Sequence, residues 1–342
     1  MNPLGSRRTF YVVCLSIALV LFWICTAQTP KNISTELVQP LELLSKLAQS
    51  FEKSASKLEK LSVVSSNSGH EASDLLLRSK YISDANGFVF LLFLNDAYLE
   101  MTKSWICNVQ GLLPDVLKHV AFVATSSGLS KRLQLWNPDV QVFVHDAYST
   151  STDLSYGNYD YFRLGAERLS LQTELIQNGV NVMVIESDAT WYSDKVVDFV
   201  RSRLQAHDIV SAADANKIIC ACFLGIRSTE ATRDFFQTYN ASYFNTLETF
   251  KNSKKYIGDI GEQHTMSKML QKQTKVKVNW LTQCEYANGK WYDKPDSTCP
   301  RPMIVHNNFI IGNDKKVARL KKWKQWFLDD QGLCLSQNTT TS

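Results

Sequence analysis

The sequence is poor in the residues that mark fibrous or disordered chains. Its 342 residues include only 14 glycines and 8 prolines, and charged residues make up 20% of the chain. These low values exclude a collagen, a low-complexity linker and a charge-dominated disordered chain. Hydrophobic residues instead make up 44% of the chain. The composition therefore predicts a globular protein with one large domain or two small ones.

The sequence also lacks a broad excess of either charge. Its 37 lysines and arginines are nearly balanced by 33 acidic residues. Six of the basic residues share one acid-free window: Lys315, Lys316, Arg319, Lys321, Lys322 and Lys324. Without those six, 31 basic residues remain against 33 acidic ones. Because a nucleic-acid binder needs cations spread along a phosphate track, we predict no nucleic-acid partner.

Charged residues are absent from the mostly apolar segment 9–30. At about 1.5 Å per residue this segment approaches the ~30 Å of a bilayer core. Arg7 and Arg8 precede it, so the positive-inside rule places a tail of residues 1–8 in the cytosol and the rest of the chain in the lumen. Two interpretations stay open. One is a transmembrane signal anchor in a single-pass type II protein, and the other is a signal peptide cleaved after small residues such as Ala27.

Both interpretations send the rest of the chain into the secretory pathway. Three sequons there offer acceptors for glycosylation, at Asn32, Asn240 and Asn338. Six of the eight cysteines follow the apolar segment, an even number that favours disulfides in an oxidising compartment. Cys284 and Cys299 flank one polar loop, so we predict a disulfide between them. Connectivity cannot be read from sequence for the other four: Cys107, Cys220, Cys222 and Cys334.

Residues 31–80 have the composition of a stem between membrane and domain. Apolar residues in the segment 37–58 recur at alternating spacings of four and three, which is a heptad pattern. A short coiled coil would make a homodimer through the stem. A loosely helical spacer is the alternative, because two of the seam residues are alanines that bury little area. The Ser-rich segment 62–73 predicts a linker before a domain at 81–335, and residues 336–342 predict a flexible tail.

Apolar runs alternate with amphipathic stretches through the predicted domain. The predicted strands are Phe88–Leu94, Val120–Ala124, Val140–His145 and Asn181–Ile185. A helix is predicted over Ala166–Gln177, closed by Asn178 and Gly179 as a C-cap pair. This alternation predicts an α/β fold with a mostly parallel sheet flanked by helices.

Two acidic residues, Glu186 and Asp188, come directly after the last predicted strand. Ligands of open α/β sheets bind at the carboxyl edge of the strands. Carboxylates there are hard oxygen ligands for Mn²⁺ or Mg²⁺, and the metal can neutralise a nucleotide diphosphate. The alternative is an acidic pair at a solvated strand end.

Further motifs surround this acidic pair in a specific order. They are Tyr161–Arg163, Ala166–Arg168, Val184–Asp194, Phe223–Thr229, Glu262–Gln263, Asn288–Tyr292 and Ile304–Asn308. Together they resemble the nucleotide-diphospho-sugar transferase domain of glycosyltransferase family 77, over about residues 88–328. The resemblance implies a Rossmann-like GT-A fold, a UDP-sugar donor, a divalent metal (Mn²⁺ or Mg²⁺) and retention of the anomeric configuration.

The resemblance also implies roles for individual residues. The metal ligands would be Glu186, Asp188 and His306, although the family usually has Asp at the first position and His306 has an alternative role as a strand-end residue. The donor would contact Asn95, Asp96, Arg168, Gly312, Lys315 and Lys316. Turn formation explains Asn95 and Asp96 equally well. The catalytic residues would be Asp188, Asp259, Glu262 and Gln263.

These features predict a retaining type II glycosyltransferase of the Golgi membrane. It would move galactose or xylose from a UDP-sugar to a glycan or glycoprotein acceptor. The alternative is a non-catalytic lumenal binding or scaffolding module of GT-A type, which the unusual Glu186 and the stem suggest. Metal-dependent hydrolysis of a UDP-sugar would distinguish the two.

Overall fold

The computed structural model describes residues 69–145, 154, 156–214, 218–251, 261–295 and 299–335. The predicted anchor, residues 31–68 of the predicted stem and the tail at 336–342 lie outside these residues. Within the described part of the chain, none of the helices combines the length and the apolar character needed to cross a bilayer.

The described residues form helices and strands that alternate along the chain. The helices are α1 (Gly69–Asn86), α2 (Leu99–Leu112), α3 (Ser127–Trp136), α4 (Tyr159–Gln177), α5 (Val196–Ala206), α6 (Glu230–Thr249), α7 (Glu262–Leu270) and α8 (Asn313–Lys322). The strands are β1 (Val89–Leu94), β2 (Val120–Ala124), β3 (Val142–Val144), β4 (Val182–Ile185), β5 (Ala189–Trp191), β6 (Ile209–Ala213), β7 (Ile219–Ile226), β8 (Val278–Leu281), β9 (Tyr286–Ala287) and β10 (Ile304–His306).

The larger sheet has seven strands in the order β3-β2-β1-β4-β7-β6-β8. Strands β3, β2, β1 and β4 are mutually parallel, and β6 and β8 are parallel to each other. Strand β7 runs antiparallel to both of its neighbours. The predicted α/β class and mostly parallel sheet are therefore confirmed, and the architecture is consistent with a GT-A fold.

Strand β1 shows why both faces of this sheet are covered. Its alternate residues point to opposite faces, so Phe90 and Leu92 belong to one core cluster and Val89 and Leu91 to another. Side chains of α2, α3 and α5 join the first cluster, whereas side chains of α1, α4 and α6 join the second. The sheet thus lies between two helical layers, and the carboxyl ends of β1 and β4 lie at its edge.

A second sheet of three strands, β5-β10-β9, begins directly after the acidic pair, since β5 starts at Ala189. Trp191 in β5 is buried against Trp105 and Phe90. The side chain of Asn108 donates to the carbonyl of Trp191 at 3.0 Å and accepts from its N–H at 2.8 Å. These two hydrogen bonds take the place of those that a neighbouring strand would make with β5, and they hold the backbone three residues after Asp188.

The predicted elements differ from the structure mainly at their ends. Helix α4 begins at Tyr159, seven residues before the predicted start, and Asn158 is its N-cap. It ends as predicted before Gly179, which adopts a φ of +84° that favours glycine at a helix end. Strand β3 is limited to three residues, because it pairs with β2 alone at the edge of the sheet.

Candidate active site

The acidic pair lies in the short turn between β4 and β5. Glu186 follows the last residue of β4, and the N–H of Ala189 donates to the carbonyl of Glu186 at 3.3 Å. Strand β10 pairs antiparallel with β5 so that His306 lies opposite Ala189. The N–H of Asn307 then donates to the carbonyl of Asp188 at 2.9 Å. Strand pairing therefore brings the three predicted metal ligands together.

The side chains of these three residues converge within a small space. His306 Nε2 lies 3.2 Å from Asp188 Oδ1 and 3.4 Å from Glu186 Oε2. One ligand atom from each residue lies within 4.8 Å of the other two. Asp188 Oδ1 and His306 Nε2 are both buried, yet neither has a partner in hydrogen-bond geometry among the described residues. Buried polar atoms that converge without hydrogen bonds fit a bound cation.

The charges of this cluster stabilise one another. Burial opposes ionisation of Asp188, but the ammonium of Lys316 and the imidazole of His306 hold its pKa well below the usual range. Burial likewise opposes ionisation of Glu186, whereas His306 and Arg168 lower its pKa. Burial lowers the pKa of His306, but the two carboxylates outweigh it and raise that pKa to about 9. The cluster is therefore a set of mutually neutralising ions.

Arg168, on α4, joins Glu186 to a third carboxylate. Its Nη1 donates to Glu186 Oε1 at 2.9 Å, and its Nη2 donates to Glu262 Oε1. Glu262 is the first residue of α7, where the helix dipole favours a negative charge. A Cβ at position 165 would approach Glu262 Oε2 to 3.0 Å, so Gly165 leaves room for this carboxylate. The predicted donor residue Arg168 and catalytic residue Glu262 thus meet beside the metal-ligand cluster.

Lys316, in the first turn of α8, contacts the cluster at Asp188, whereas Arg168 contacts it at Glu186. Its Nζ donates to Asp188 Oδ2 at 2.6 Å. The same Nζ lies 5.6 Å from the ring centroid of Tyr98 and 3.5 Å from its hydroxyl oxygen. Lys315, the neighbouring residue that was also predicted to bind the donor, is exposed to solvent. The structure therefore brings only one of these two lysines into the cluster.

Gln263 lies next to Glu262 but binds the backbone. Its Oε1 accepts from the N–H of Ala221 at 2.8 Å, and its side chain also hydrogen-bonds Asp214. Asp214 in turn accepts from Asn308 Nδ2 at 3.3 Å. Burial raises the pKa of Asp214. The predicted catalytic residue Gln263 is thus linked to the segment after β10 through Asp214, which the sequence analysis missed.

The other predicted site residues are more dispersed. Asn95 is buried at the end of β1, and its carbonyl accepts from the N–H of Tyr98 at 3.1 Å. Asp96 forms an ion pair with Arg132. Gly312 has a φ of +98° and is the N-cap of α8, as expected for a turn that leads into a helix. Asp259 lies outside the described residues, so its catalytic role stays a prediction.

Three disulfides occur among the described residues. They join Cys284 to Cys299, Cys107 to Cys334 and Cys220 to Cys222. The first is the pair that the sequence predicts. Of the predicted glycosylation sites, Asn32 and Asn338 lie outside the described residues. Asn240 lies in α6 with its Nδ2 3.5 Å from Ser170 Oγ, and its glycosylation stays a prediction.

Two tyrosines near the cluster were given no site role in the sequence analysis, although Tyr161 belongs to the motif Tyr161–Arg163. Tyr98 is in contact with Lys316. Tyr161 is more than one third exposed, and burial of its hydroxyl together with the charge of Glu186 raises its pKa strongly. The position of Tyr98, four residues after the end of the buried strand β1, was an available signal. Isolated aromatic residues elsewhere give no such signal, because most of them pack in the core.

Comparison with known proteins extends this description. The model of a family described as nucleotide-diphospho-sugar transferase matches residues 115–320. The chain is 24% identical over 292 residues to UDP-D-xylose:L-fucose alpha-1,3-D-xylosyltransferase 3 of Arabidopsis thaliana, covering 75% of this chain and 73% of that protein. It is 23% identical over 210 residues to UDP-galactose:fucoside alpha-3-galactosyltransferase of Dictyostelium discoideum, covering 56% of this chain and 32% of that protein. The crystal structure of mouse xyloside xylosyltransferase 1 aligns with a TM-score of 0.41 at 11% identity, over 66% of this chain and 99% of that one.

Proposed function

Because the chain belongs to the nucleotide-diphospho-sugar transferase family, we propose that it transfers a sugar from UDP to a glycan or glycoprotein acceptor. The membership confirms the enzyme class predicted from the sequence, a glycosyltransferase that uses a nucleotide sugar. The observation that carries the finer proposal is the cluster of Glu186, Asp188 and His306, of which Asp188 and His306 are buried and Glu186 is half-buried. The cluster lies at the carboxyl edge of the sheet, where ligands of such sheets bind, and inside the matched region.

We propose that a divalent cation, Mn²⁺ or Mg²⁺, binds to these three side chains. Two carboxylates and one imidazole are ligands that Mn²⁺ accepts. The fit is supported by the buried Asp188 Oδ1 and His306 Nε2, which lie 3.2 Å apart and have no partner in hydrogen-bond geometry among the described residues. When bound, the cation would supply charge stabilisation for the diphosphate of the donor.

The other charged residues divide into two groups around this centre. Lys316 is placed to stabilise the negative charge that grows on the diphosphate as the sugar leaves. Arg168 and Glu262 lie on the other side of Glu186, where we propose that they contact the donor sugar. Gln263 and Asp214 connect this side to Asn308, and thereby to the segment that carries Lys316.

The names of the relatives guide the choice of substrates. They act with UDP-xylose on fucose or with UDP-galactose on a fucoside. We propose xylose or galactose as the transferred sugar, with fucosides as the first acceptors to test. We also propose retention of the anomeric configuration, which proton NMR of the early product would establish.

We propose that the protein acts in the Golgi membrane as a type II protein. The support is Arg7 and Arg8 before the uncharged segment 9–30. Protease treatment of intact microsomes should remove an epitope fused before Met1 and spare one fused after Ser342. Protection of both epitopes would contradict the anchored topology.

The central test is release of UDP from UDP-xylose or UDP-galactose by the full chain, with Mn²⁺ and with a chelator. Asp188→Asn removes the central charge at constant volume, and we expect a loss of activity of about 100-fold or more, since metal-ion catalysis contributes several kcal/mol. Asp194→Asn is the matched control, because Asp194 is exposed. Full activity of Asp188→Asn would show that the active site lies elsewhere. Absence of any activity in the wild type would favour the non-catalytic scaffold.

A further inference from the structure

Lys316 contacts the carboxylate of Asp188, one of the proposed metal ligands. Its Nζ lies 2.6 Å from Asp188 Oδ2, and only 14% of the lysine side chain is exposed. The carboxylate of Asp188 itself is fully buried. Its other oxygen, Oδ1, faces His306. Asp188 therefore has a cationic partner of its own, whose position is fixed by the protein.

The surroundings of Lys316 include the loop after β1, which carries the predicted donor residues Asn95 and Asp96. Asn313 Nδ2 donates to the carbonyl of Ala97 at 2.9 Å, which ties the start of α8 to the loop after β1. The Lys316 ammonium lies beside the Tyr98 ring and hydroxyl in the same loop. The N-cap of α8, Gly312, has no side chain with which to cap the first turn, and unpaired N–H groups at a helix start can bind an anion. An anion bound at this loop would be within reach of the flexible lysine chain.

We propose that Lys316 couples the binding of the cation to the binding of the nucleotide diphosphate. Without the nucleotide, its ammonium neutralises Asp188 and opposes a divalent cation at the same carboxylate. With the nucleotide, the diphosphate attracts the ammonium and leaves Asp188 to the cation. The site therefore takes up cation and nucleotide together and binds the cation alone weakly. This inference depends on the proposed function.

The proposal predicts opposite effects of one substitution on two ligands. Lys316→Met removes the charge but keeps an unbranched chain. It should tighten binding of Mn²⁺ alone by about 10-fold and weaken binding of UDP at saturating Mn²⁺ by at least about 10-fold, within the range of couplings between sites. If the lysine interacts only with the diphosphate, Lys316→Met should weaken UDP binding and leave the affinity for Mn²⁺ unchanged.

The experiment measures binding by the full chain and does not depend on turnover. Electron paramagnetic resonance of free Mn²⁺ gives the affinity for the metal alone, and calorimetry with Mn²⁺ present gives the affinity for UDP. Lys322→Met is the matched control, because this lysine of the same helix is exposed and has no assigned role in the site, so it should change neither value. Lys316→Gln repeats the test with a polar chain should the methionine variant fold poorly, which circular dichroism would show.

The outcomes separate this inference from the proposed function. Tighter Mn²⁺ binding together with weaker UDP binding in either Lys316 variant supports the coupling. Unchanged or weaker Mn²⁺ binding in a folded Lys316 variant, while the wild type binds Mn²⁺ and UDP, overturns the coupling and leaves the proposed function intact. A wild type that binds neither ligand overturns both.

Discussion

Replacing Glu186 with Asp should weaken the site, although Asp is the residue that the family resemblance leads one to expect there. In the structure, the carboxylate of Glu186 has two partners. Oε1 accepts from Arg168 at 2.9 Å, and Oε2 lies 3.4 Å from His306. The longer side chain is what allows one carboxylate to span both. We therefore predict that Asp at this position gives a less stable site than Glu.

The size of the effect follows from the geometry. Removing one methylene withdraws the carboxylate by roughly one C–C bond, about 1.5 Å. At least one of the two contacts then exceeds hydrogen-bond range. A hydrogen bond between charged groups contributes about 1.5 to 3 kcal/mol, and the Glu186 side chain is 32% exposed, so we take the lower part of that range. The expected loss is about 1.5 kcal/mol in the free energy of unfolding of the metal-free protein, or roughly a factor of 10 in its ratio of folded to unfolded chains.

A double-mutant cycle tests the reason as well as the result. Glu186→Asp is compared in the wild type and in Arg168→Gln, by Mn²⁺ affinity and by urea unfolding of the metal-free protein. If the longer side chain of Glu186 is needed to reach Arg168, Glu186→Asp should have a much smaller effect once the guanidinium is removed. Glu186→Gln, which keeps the length and removes the charge, separates reach from charge. Unchanged or higher stability of the metal-free Glu186→Asp variant in the wild-type background would refute the reasoning.

Three further expectations concern stability, each measured by urea unfolding. Gly289→Ala should destabilise the protein by about 1 to 3 kcal/mol, because a Cβ there would lie 1.9 Å from a backbone oxygen of the loop before α8. Gly128→Ala is the control, because nothing lies within 4 Å of a Cβ at that position. Joint replacement of Cys107 and Cys334 by Ser should remove about 2 to 5 kcal/mol, because their disulfide links residues 227 apart. Since the pKa of His306 is raised to about 9, its ion pairs should stabilise the metal-free protein fully below about pH 6.5 and progressively less as pH rises through 9.

Each of these expectations has a contradicting result. Equal stability of the two Gly→Ala variants would mean that the loop before α8 yields easily. Replacement of the cysteine pair without loss of stability would mean that the disulfide does not constrain the unfolded chain. A stability profile between pH 6.5 and 9 that is unchanged by His306→Asn would contradict the raised pKa.

The strands and the acidic pair could be predicted from sequence because their signals are local. Buried apolar runs mark β1, β2 and β4, and an acidic residue after β4 necessarily lies at the edge of the sheet. The partners of that pair are a different matter. His306 reaches Asp188 through the pairing of β10 with β5, which brings together distant segments and leaves no periodic signal in either. Only the family resemblance pointed to His306.

Interactions between charged side chains were the least predictable feature. Arg168 was expected to bind the donor, yet nothing in the sequence pairs it with both Glu186 and Glu262. Asp96 follows β1 as expected, but its ion pair with Arg132 depends on how α3 packs beside the sheet. The bridge from Cys107 to Cys334 was equally hidden, because disulfide connectivity depends on the completed fold.

The two candidate lysines show that some of the missing information was in the sequence after all. Residues four apart lie on one face of a helix, so Lys316 shares a face with Leu320, whereas Lys315 does not. Leu320 is buried, and α8 packs that face towards the domain. The helical phase of the apolar residues Leu320 and Trp323 therefore selects Lys316 as the inward cation. The same criterion, applied to other basic helices that follow a strand-end histidine, would separate a lysine in the site from its solvated neighbours.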